Sequence, residues 1–211
     1  MIAVDIDKIF EILDAYYPDR NPFITLMNSF HDPFKILLAC ILSLRTRDTV
    51  TYGAANRLFE MGSKPEDFLK YSEEDIIKAI YPVGFYPNKA RDILQICRDL
   101  VSKYNSQVPD NIDELLKFRG VGRKTANLVV AKGFNKPAIC VDTHVHRICN
   151  RLGYVKTKTP DDTEMALRKK LPQKYWIKIN DLFVTHGQTI CLPGTPKCSV
   201  CPINQYCMKI I

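Results

Sequence analysis

Four cysteines crowd the end of the chain: Cys191, Cys198, Cys201 and Cys207, spaced Cys-x6-Cys-x2-Cys-x5-Cys. Four thiolates this close together can hold zinc or an iron–sulfur cluster. Structural zinc usually takes two close Cys pairs, and only Cys198 and Cys201 have that spacing. The other four, Cys40, Cys97, Cys140 and Cys149, are scattered among apolar neighbours. The N-terminus, Met1-Ile2-Ala3-Val4-Asp5-Ile6-Asp7, shows no basic segment leading into an apolar one. A cytoplasmic location is therefore expected, and with it metal-binding or buried thiols rather than a disulfide framework.

A second stretch, 115–127, sets Gly120 and Gly122 between two short helical segments, with Arg123 and Lys124 directly after. Glycine permits positive φ in a turn and lets a ligand approach the backbone. The N–H groups of Val121, Gly122 and Arg123 are expected to lack partners at the start of the second helix. The helix dipole adds positive potential there, which suits a phosphate. An ordinary helix–helix turn would use the same glycines; the two following cations are what favour the anion site.

These residues need a helical frame, and the sequence supplies one. Ala90, Ile93, Leu94, Cys97, Leu100, Val101 and Tyr104 form one stripe at helical spacing. Residues 34–44 are apolar nearly all round and read as a central buried helix. Caps predict further helices: Ser72 with Asp75 for 72–80, Asp110 with Asp113 for 110–117, Asp142 before 143–152 with Gly153 as the stop, and Thr159-Pro160 with Asp162. The hairpin's second helix is expected over 123–132, ended by Gly133. The expected fold class is all-α, with about ten helices and no low-complexity linker.

Size and charge narrow the functions. A chain of 211 residues makes one domain or two small ones. The longest apolar run, 36–42, is far too short for a membrane span, so no membrane partner is expected. Lys plus Arg is 30 against 23 for Asp plus Glu, a net charge of +7, which suits a nucleic-acid partner.

The run from Gly120 to Asn127, followed by Cys140-Val141-Asp142-Thr143-His144-Val145-His146-Arg147, resembles the helix-hairpin-helix DNA glycosylases, in particular the endonuclease III family. The likeness extends over essentially the whole chain, from Phe34-Lys35-Ile36-Leu37-Leu38 through Gly84-Phe85-Tyr86-Pro87-Asn88-Lys89-Ala90 to the cysteines. It implies a two-lobed all-α fold. A six-helix barrel domain over 24–135 would end in the helix-hairpin-helix, and 1–23 with 136–211 would form the iron–sulfur cluster domain. DNA would lie between the two. The resemblance also implies a structural [4Fe–4S] cluster on Cys191, Cys198, Cys201 and Cys207, with Lys197 in the first cysteine loop touching the DNA backbone. Gly120, Val121, Gly122 and Arg123 would grip one DNA phosphate.

In that family a Lys and an Asp carry the chemistry, and Lys124 and Asp142 stand at those places. Removing a base breaks the C1′–N bond through a cation-like sugar, which a nearby carboxylate stabilises. A neutral lysine amine can attack C1′ and form a Schiff base, after which the 3′ phosphate leaves by β-elimination. Lys124 falls in the first turn of a helix, whose positive end disfavours the charged amine. Asp142 falls at a helix N-cap, where backbone amides bind a carboxylate. Taken singly, the two residues read as a phosphate contact and a cap; the long matching stretches assign them catalysis. By resemblance a Lys here marks a bifunctional glycosylase and lyase, because monofunctional mismatch glycosylases carry Tyr or Ser.

A glycosylase must also flip its target nucleotide and fill the gap. The family fills it with a Gln and wedges the opposite strand with an apolar residue. Here Arg45, in Ser43-Leu44-Arg45-Thr46-Arg47-Asp48, replaces the Gln, and Phe85 is the wedge. A phosphate contact is the other reading of Arg45 and Arg47. The family's Leu-Pro before the first hairpin glycine is replaced by Phe118-Arg119, adding a cation beside the phosphate site. His31, His144, His146 and His186 have no zinc-triad spacing and read as capping, packing or phosphate contacts.

The expected activity is excision of damaged, oxidised pyrimidines from double-stranded DNA, then strand cleavage 3′ to the abasic site by β-elimination. A monomer acting on damaged or abasic DNA is expected. The alternatives are a uracil or thymine mismatch glycosylase, a non-catalytic helix-hairpin-helix DNA-binding protein, and an electron carrier built on the cluster.

Overall fold

The computed structural model describes residues 4–18, 30 and 32–210, and every regular element among them is helical. The expected domain boundary near residue 24 and His31 lie outside the described residues. In chain order the α-helices are α1 (Ile6–Tyr16), α2 (Pro33–Ser43), α3 (Asp48–Glu60), α4 (Pro65–Phe68), α5 (Glu73–Ile80), α6 (Tyr86–Lys103), α7 (Ile112–Leu115), α8 (Arg123–Leu128), α9 (Thr143–Arg151), α10 (Pro160–Lys170) and α11 (Lys178–Thr189). The chain divides into two compact units, Pro22–Lys136 and Met1–Asn21 with Pro137–Ile211.

In the first of these units α2 is the central element. Asp32 caps it by accepting the Phe34 N–H at 2.9 Å, and Pro33 takes the first position, where no donor is needed. Phe34 and every residue from Ile36 to Leu42 are buried, as an all-apolar helix requires. Helices α3, α6 and α8 pack on it. Ser72 and Asp75 cap α5 reciprocally, as their spacing predicts. On α6 the stripe is buried through Leu100, but the inward face turns toward Ile96 and leaves Val101 37% exposed.

Two helices of this unit differ from expectation. Asn111, not Asp110, caps α7, its side-chain oxygen accepting from both Asp113 and Glu114. Asp110 pairs with Lys136 instead, and α7 stops at Leu115, short of residue 117. The hairpin's second helix is α-helical only through Leu128 and then widens into a π turn, Val129–Gly133. Gly133 permits that turn to rest on α2, because a Cβ there would sit 3.1 Å from Pro33.

In the other unit α1 is capped by Asp5 and buries Ile9, Phe10 and Leu13. They join a core with Val145, Ile148 and Cys149 of α9, Leu167 of α10 and Phe183 of α11. Helix α9 packs on α10 and α11. It ends one residue before the expected 152, and Gly153 follows with φ 75°, the left-handed region that favours glycine. Thr159 and Asp162 form the expected capping box on α10. Short 3-10 turns at Cys198–Val200 and Asn204–Tyr206 carry three of the terminal cysteines on or beside them.

Candidate functional site

The hairpin joins α7 to α8. Gly120 has φ 78°, and a Cβ there would meet the Asp92 carboxylate at 2.9 Å, so both conformation and space call for glycine. Gly122 differs: its φ is −99°, and a Cβ would meet nothing within 4 Å. Its missing side chain leaves an open approach to the start of α8, which no side chain caps. One expectation is corrected here. The Val121 N–H is not available to a ligand; it donates to the Phe118 carbonyl at 3.1 Å, closing the turn. Val121 is therefore not one of the donors at the helix start.

The Phe118-Arg119 departure has a structural meaning. Phe118 is buried against Tyr104, ring centres 5.3 Å apart. Arg119 is largely exposed and forms an ion pair with Asp92 of α6 at 2.8 Å, without the alignment of a hydrogen bond. Its charge is thus partly neutralised beside the hairpin, where the sequence alone adds an unpaired cation.

Lys124 is the second residue of α8 and is exposed. Its ammonium lies near the Cys40 thiol of α2: burial pushes that thiol up to about 12, and the Lys124 charge opposes the rise. Asp142 belongs to the other compact unit. It is the N-cap of α9, half-buried, and one oxygen, Oδ1, accepts the N–H groups of His144 and Val145, each at 2.9 Å. The cap occupies that oxygen and fixes the carboxylate at the head of the helix.

Arg45 and Phe85 come together within the Pro22–Lys136 unit. The Arg45 guanidinium lies over the Phe85 ring, 5.5 Å from its centre. Arg45 follows α2, and Phe85 immediately precedes α6. Both hold left-handed backbone, φ 51° and 59°, a strained conformation for a residue with a side chain. Gly84 lets the two turns touch, since a Cβ there would lie 2.5 Å from the Arg45 carbonyl oxygen.

Sequence reasoning gave no role to Lys89, which stands in the same place. It is 5% exposed, and its ammonium donates to the carbonyls of Leu42 (2.8 Å) and Leu44 (2.6 Å) and to Thr46 Oγ1 (3.0 Å). Burial lowers its pKa to about 8, while three oxygen acceptors stabilise the charged form. No local signal marks it, because its acceptors belong to α2 and the turn after it, far away in sequence.

The four terminal cysteines are half-buried and free of disulfides. All four line one cavity together with Ile148, Leu152, Ile190 and Ile203. No three His, Cys, Asp or Glu side chains among the described residues converge as ligands of one metal ion. Two arginines one turn apart on α9 organise the first cysteine loop. Arg147 donates to the carbonyls of Gly187 (2.9 Å) and Cys191 (2.7 Å). Arg151 donates to Leu192 O at 2.7 Å and approaches Cys191 Sγ at 3.4 Å. Neither arginine was singled out from sequence, although their i, i+4 spacing on a capped helix was visible. Lys197 is exposed on that loop.

The described histidines pack or bond locally. His186 is buried, and its Nδ1 meets the Tyr17 hydroxyl at 2.9 Å. His146 Nδ1 meets Thr163 Oγ1 at 2.6 Å, and Arg147 lies 3.1 Å from His144 Nδ1.

Residues 38–173 match the family described as HhH-GPD superfamily base excision DNA repair protein. Endonuclease III of Thermotoga maritima is 50% identical over 176 residues, 83% of each chain. A solved non-covalent endonuclease III–DNA complex matches with TM-score 0.86 and 35% identity, over 97% of this chain and 94% of that one. A thermostable thymine-DNA glycosylase matches with TM-score 0.85 and 26% identity, over 96% and 95%.

Proposed function

The chain belongs to the endonuclease III family within the HhH-GPD superfamily of base excision DNA repair proteins, and on that premise we propose how its residues divide the work. The protein is a DNA glycosylase and AP lyase, and its partner is double-stranded DNA.

The substrate is DNA carrying an oxidised pyrimidine. Gly122 and Arg123 at the head of α8, with Gly120 and Val121 shaping the turn, seat one phosphate, and Lys197 adds a backbone contact. The Asp142 carboxylate stabilises the sugar cation as the C1′–N bond breaks and the base leaves with the bonding electron pair. Neutral Lys124 Nζ attacks C1′, and loss of a proton from nitrogen with ring opening gives the Schiff base. A C2′ proton is then removed, the electron pair forms a double bond, and the 3′ phosphate departs. The observation that carries this reading is Lys124's place in the first turn of the helix that opens at an unblocked Gly122.

Cys191, Cys198, Cys201 and Cys207 would hold a [4Fe–4S] cluster. Four thiols around one apolar-walled cavity suit a group that takes one thiolate per iron. When bound, the cluster supplies structure, cross-linking a segment with little apolar surface of its own. In domain terms, 24–135 reads as the six-helix barrel and 1–23 with 136–211 as the cluster domain. No helix among the described residues is long and apolar enough to cross a membrane; we take the protein to act as a cytoplasmic monomer.

The likeness to a thymine-DNA glycosylase supports a second reading, a mismatch-type enzyme. Single-turnover excision separates the two. DNA with an oxidised pyrimidine is expected to lose its base and then break on the 3′ side. Release of thymine or uracil from a mismatch without excision of the oxidised base would favour the second reading. Asp142→Asn tests the carboxylate in the same assay. Asparagine still caps α9, so the fold is kept, and excision should slow by about a hundredfold or more, the scale of one preorganised electrostatic group.

A further inference from the structure

Lys89 is a buried cation with no part in the reaction proposed above. Its three acceptors all lie at the end of α2 or in the turn after it: Leu42 O, Leu44 O and Thr46 Oγ1. Thr46 Oγ1 also accepts the Gly84 N–H at 3.0 Å, and its hydroxyl donates to Leu44 O at 3.2 Å. One ammonium and one hydroxyl therefore tie the turn bearing Arg45 to the turn bearing Phe85. The contact of Gly84 with the Arg45 carbonyl closes the same junction from the other side. Left-handed backbone at Arg45 and Phe85 persists only where surrounding contacts over-determine it, and these are such contacts.

We propose that Lys89 is a positioning residue: its buried ammonium locks the Arg45 and Phe85 turns into one preset unit, so that both side chains enter the DNA together as the damaged nucleotide leaves the stack. The proposal rests on the reading that these two side chains face the lesion. A cation near the C-terminal end of α2 would also contribute plain stability, and the two roles separate by step. Filling the gap matters most where a stacked base must be extruded, and least where the base is already gone.

The test uses the full-length protein and two duplexes, one with an oxidised pyrimidine opposite guanine and one with a preformed abasic site. Lys89→Met removes the ammonium and keeps the stem; Thr46→Val removes the shared hydroxyl at nearly constant volume. Lys89→Met should slow base excision by about tenfold to a hundredfold, the scale of a misplacement of about 1 Å. Strand cleavage at the abasic site should change far less. Thr46→Val should show the same split to a smaller degree, and it decides the question should Lys89→Met not fold. Excision at the parent's rate in both variants, or equal loss in the two steps, would overturn the proposal. A parent that excises nothing and cleaves no abasic site would instead remove the reading beneath it, and the proposal with it.

Discussion

The Arg45 guanidinium stands 5.5 Å from the centre of the Phe85 ring, although the two are 40 positions apart in sequence and each holds left-handed backbone. Both side chains are exposed, Phe85 at 57%. The attraction of a guanidinium to an aromatic ring uses none of its N–H donors, which stay available to another partner. On the proposed reading, the pair would offer a DNA helix one apolar wedge and one planar fork of donors.

That fork predicts an opposite-base preference. Guanine presents O6 to a donor, whereas adenine presents its N6 amino group, a donor facing donors. Excision of an oxidised pyrimidine should be faster opposite guanine than opposite adenine, by about five- to a hundredfold for a contact of roughly 1–3 kcal/mol. Arg45→Gln should shrink the bias. Equal rates opposite all four bases in the parent would leave Arg45 as a phosphate contact.

Gly122→Asp isolates the phosphate site. The position has φ −99° and open space where a Cβ would go, so the variant should fold with a melting temperature near the parent's. DNA affinity should nevertheless fall for all sequences alike, because a carboxylate would oppose the phosphate. The parent's affinity should drop steeply with salt, with a logarithmic slope of about 0.9 per phosphate neutralised. Unchanged affinity in Gly122→Asp would reduce the hairpin to a turn.

Lys89 gives a pH signature. Burial lowers its pKa from 10.5 to about 8 in the folded protein. Between those values the unfolded chain binds more protons than the folded one, so this residue's contribution to stability rises with pH. Its desolvation cost is complete below the folded value and is relieved above it. The parent should therefore gain stability relative to Lys89→Met between about pH 8 and pH 10, read from urea midpoints. A constant difference across that range would mean the amine titrates as it does in water.

Much of the frame was legible because caps are local. Ser72 with Asp75, Thr159 with Asp162 and Asp142 itself depend on residues within one turn, and each caps the helix its spacing implied. Features set by distant partners were not legible. Asp92, far back on α6, decides what Arg119 does, and Pro33 decides why residue 133 is a glycine. Lys89 reads as a surface lysine until α2 is laid against α6, since nothing in its neighbours shows that three carbonyl or hydroxyl oxygens await it. The Asp110 cap failed for a comparable reason. Asn111 reaches two amides at once, and Lys136 draws Asp110 away.

The cysteine tail makes a compositional prediction. Purified protein should be yellow-brown with about four irons per chain. Cys201→Ser should lose the iron and loosen the segment after α11, detected by faster proteolysis there, because these last residues bury few apolar side chains of their own. Stoichiometric zinc without iron in protein purified anaerobically would contradict the cluster.

On the proposed mechanism, Lys124 Nζ becomes covalently bonded to C1′ of the lesion nucleotide. Borohydride reduces a Schiff base to a stable amine, so protein incubated with abasic-site DNA and borohydride should form a cross-linked species that survives denaturation. Lys124→Ala should form none while still binding the same DNA, since the hairpin is untouched. Cross-linking by Lys124→Ala at the parent's yield would contradict the account and make another amine the nucleophile.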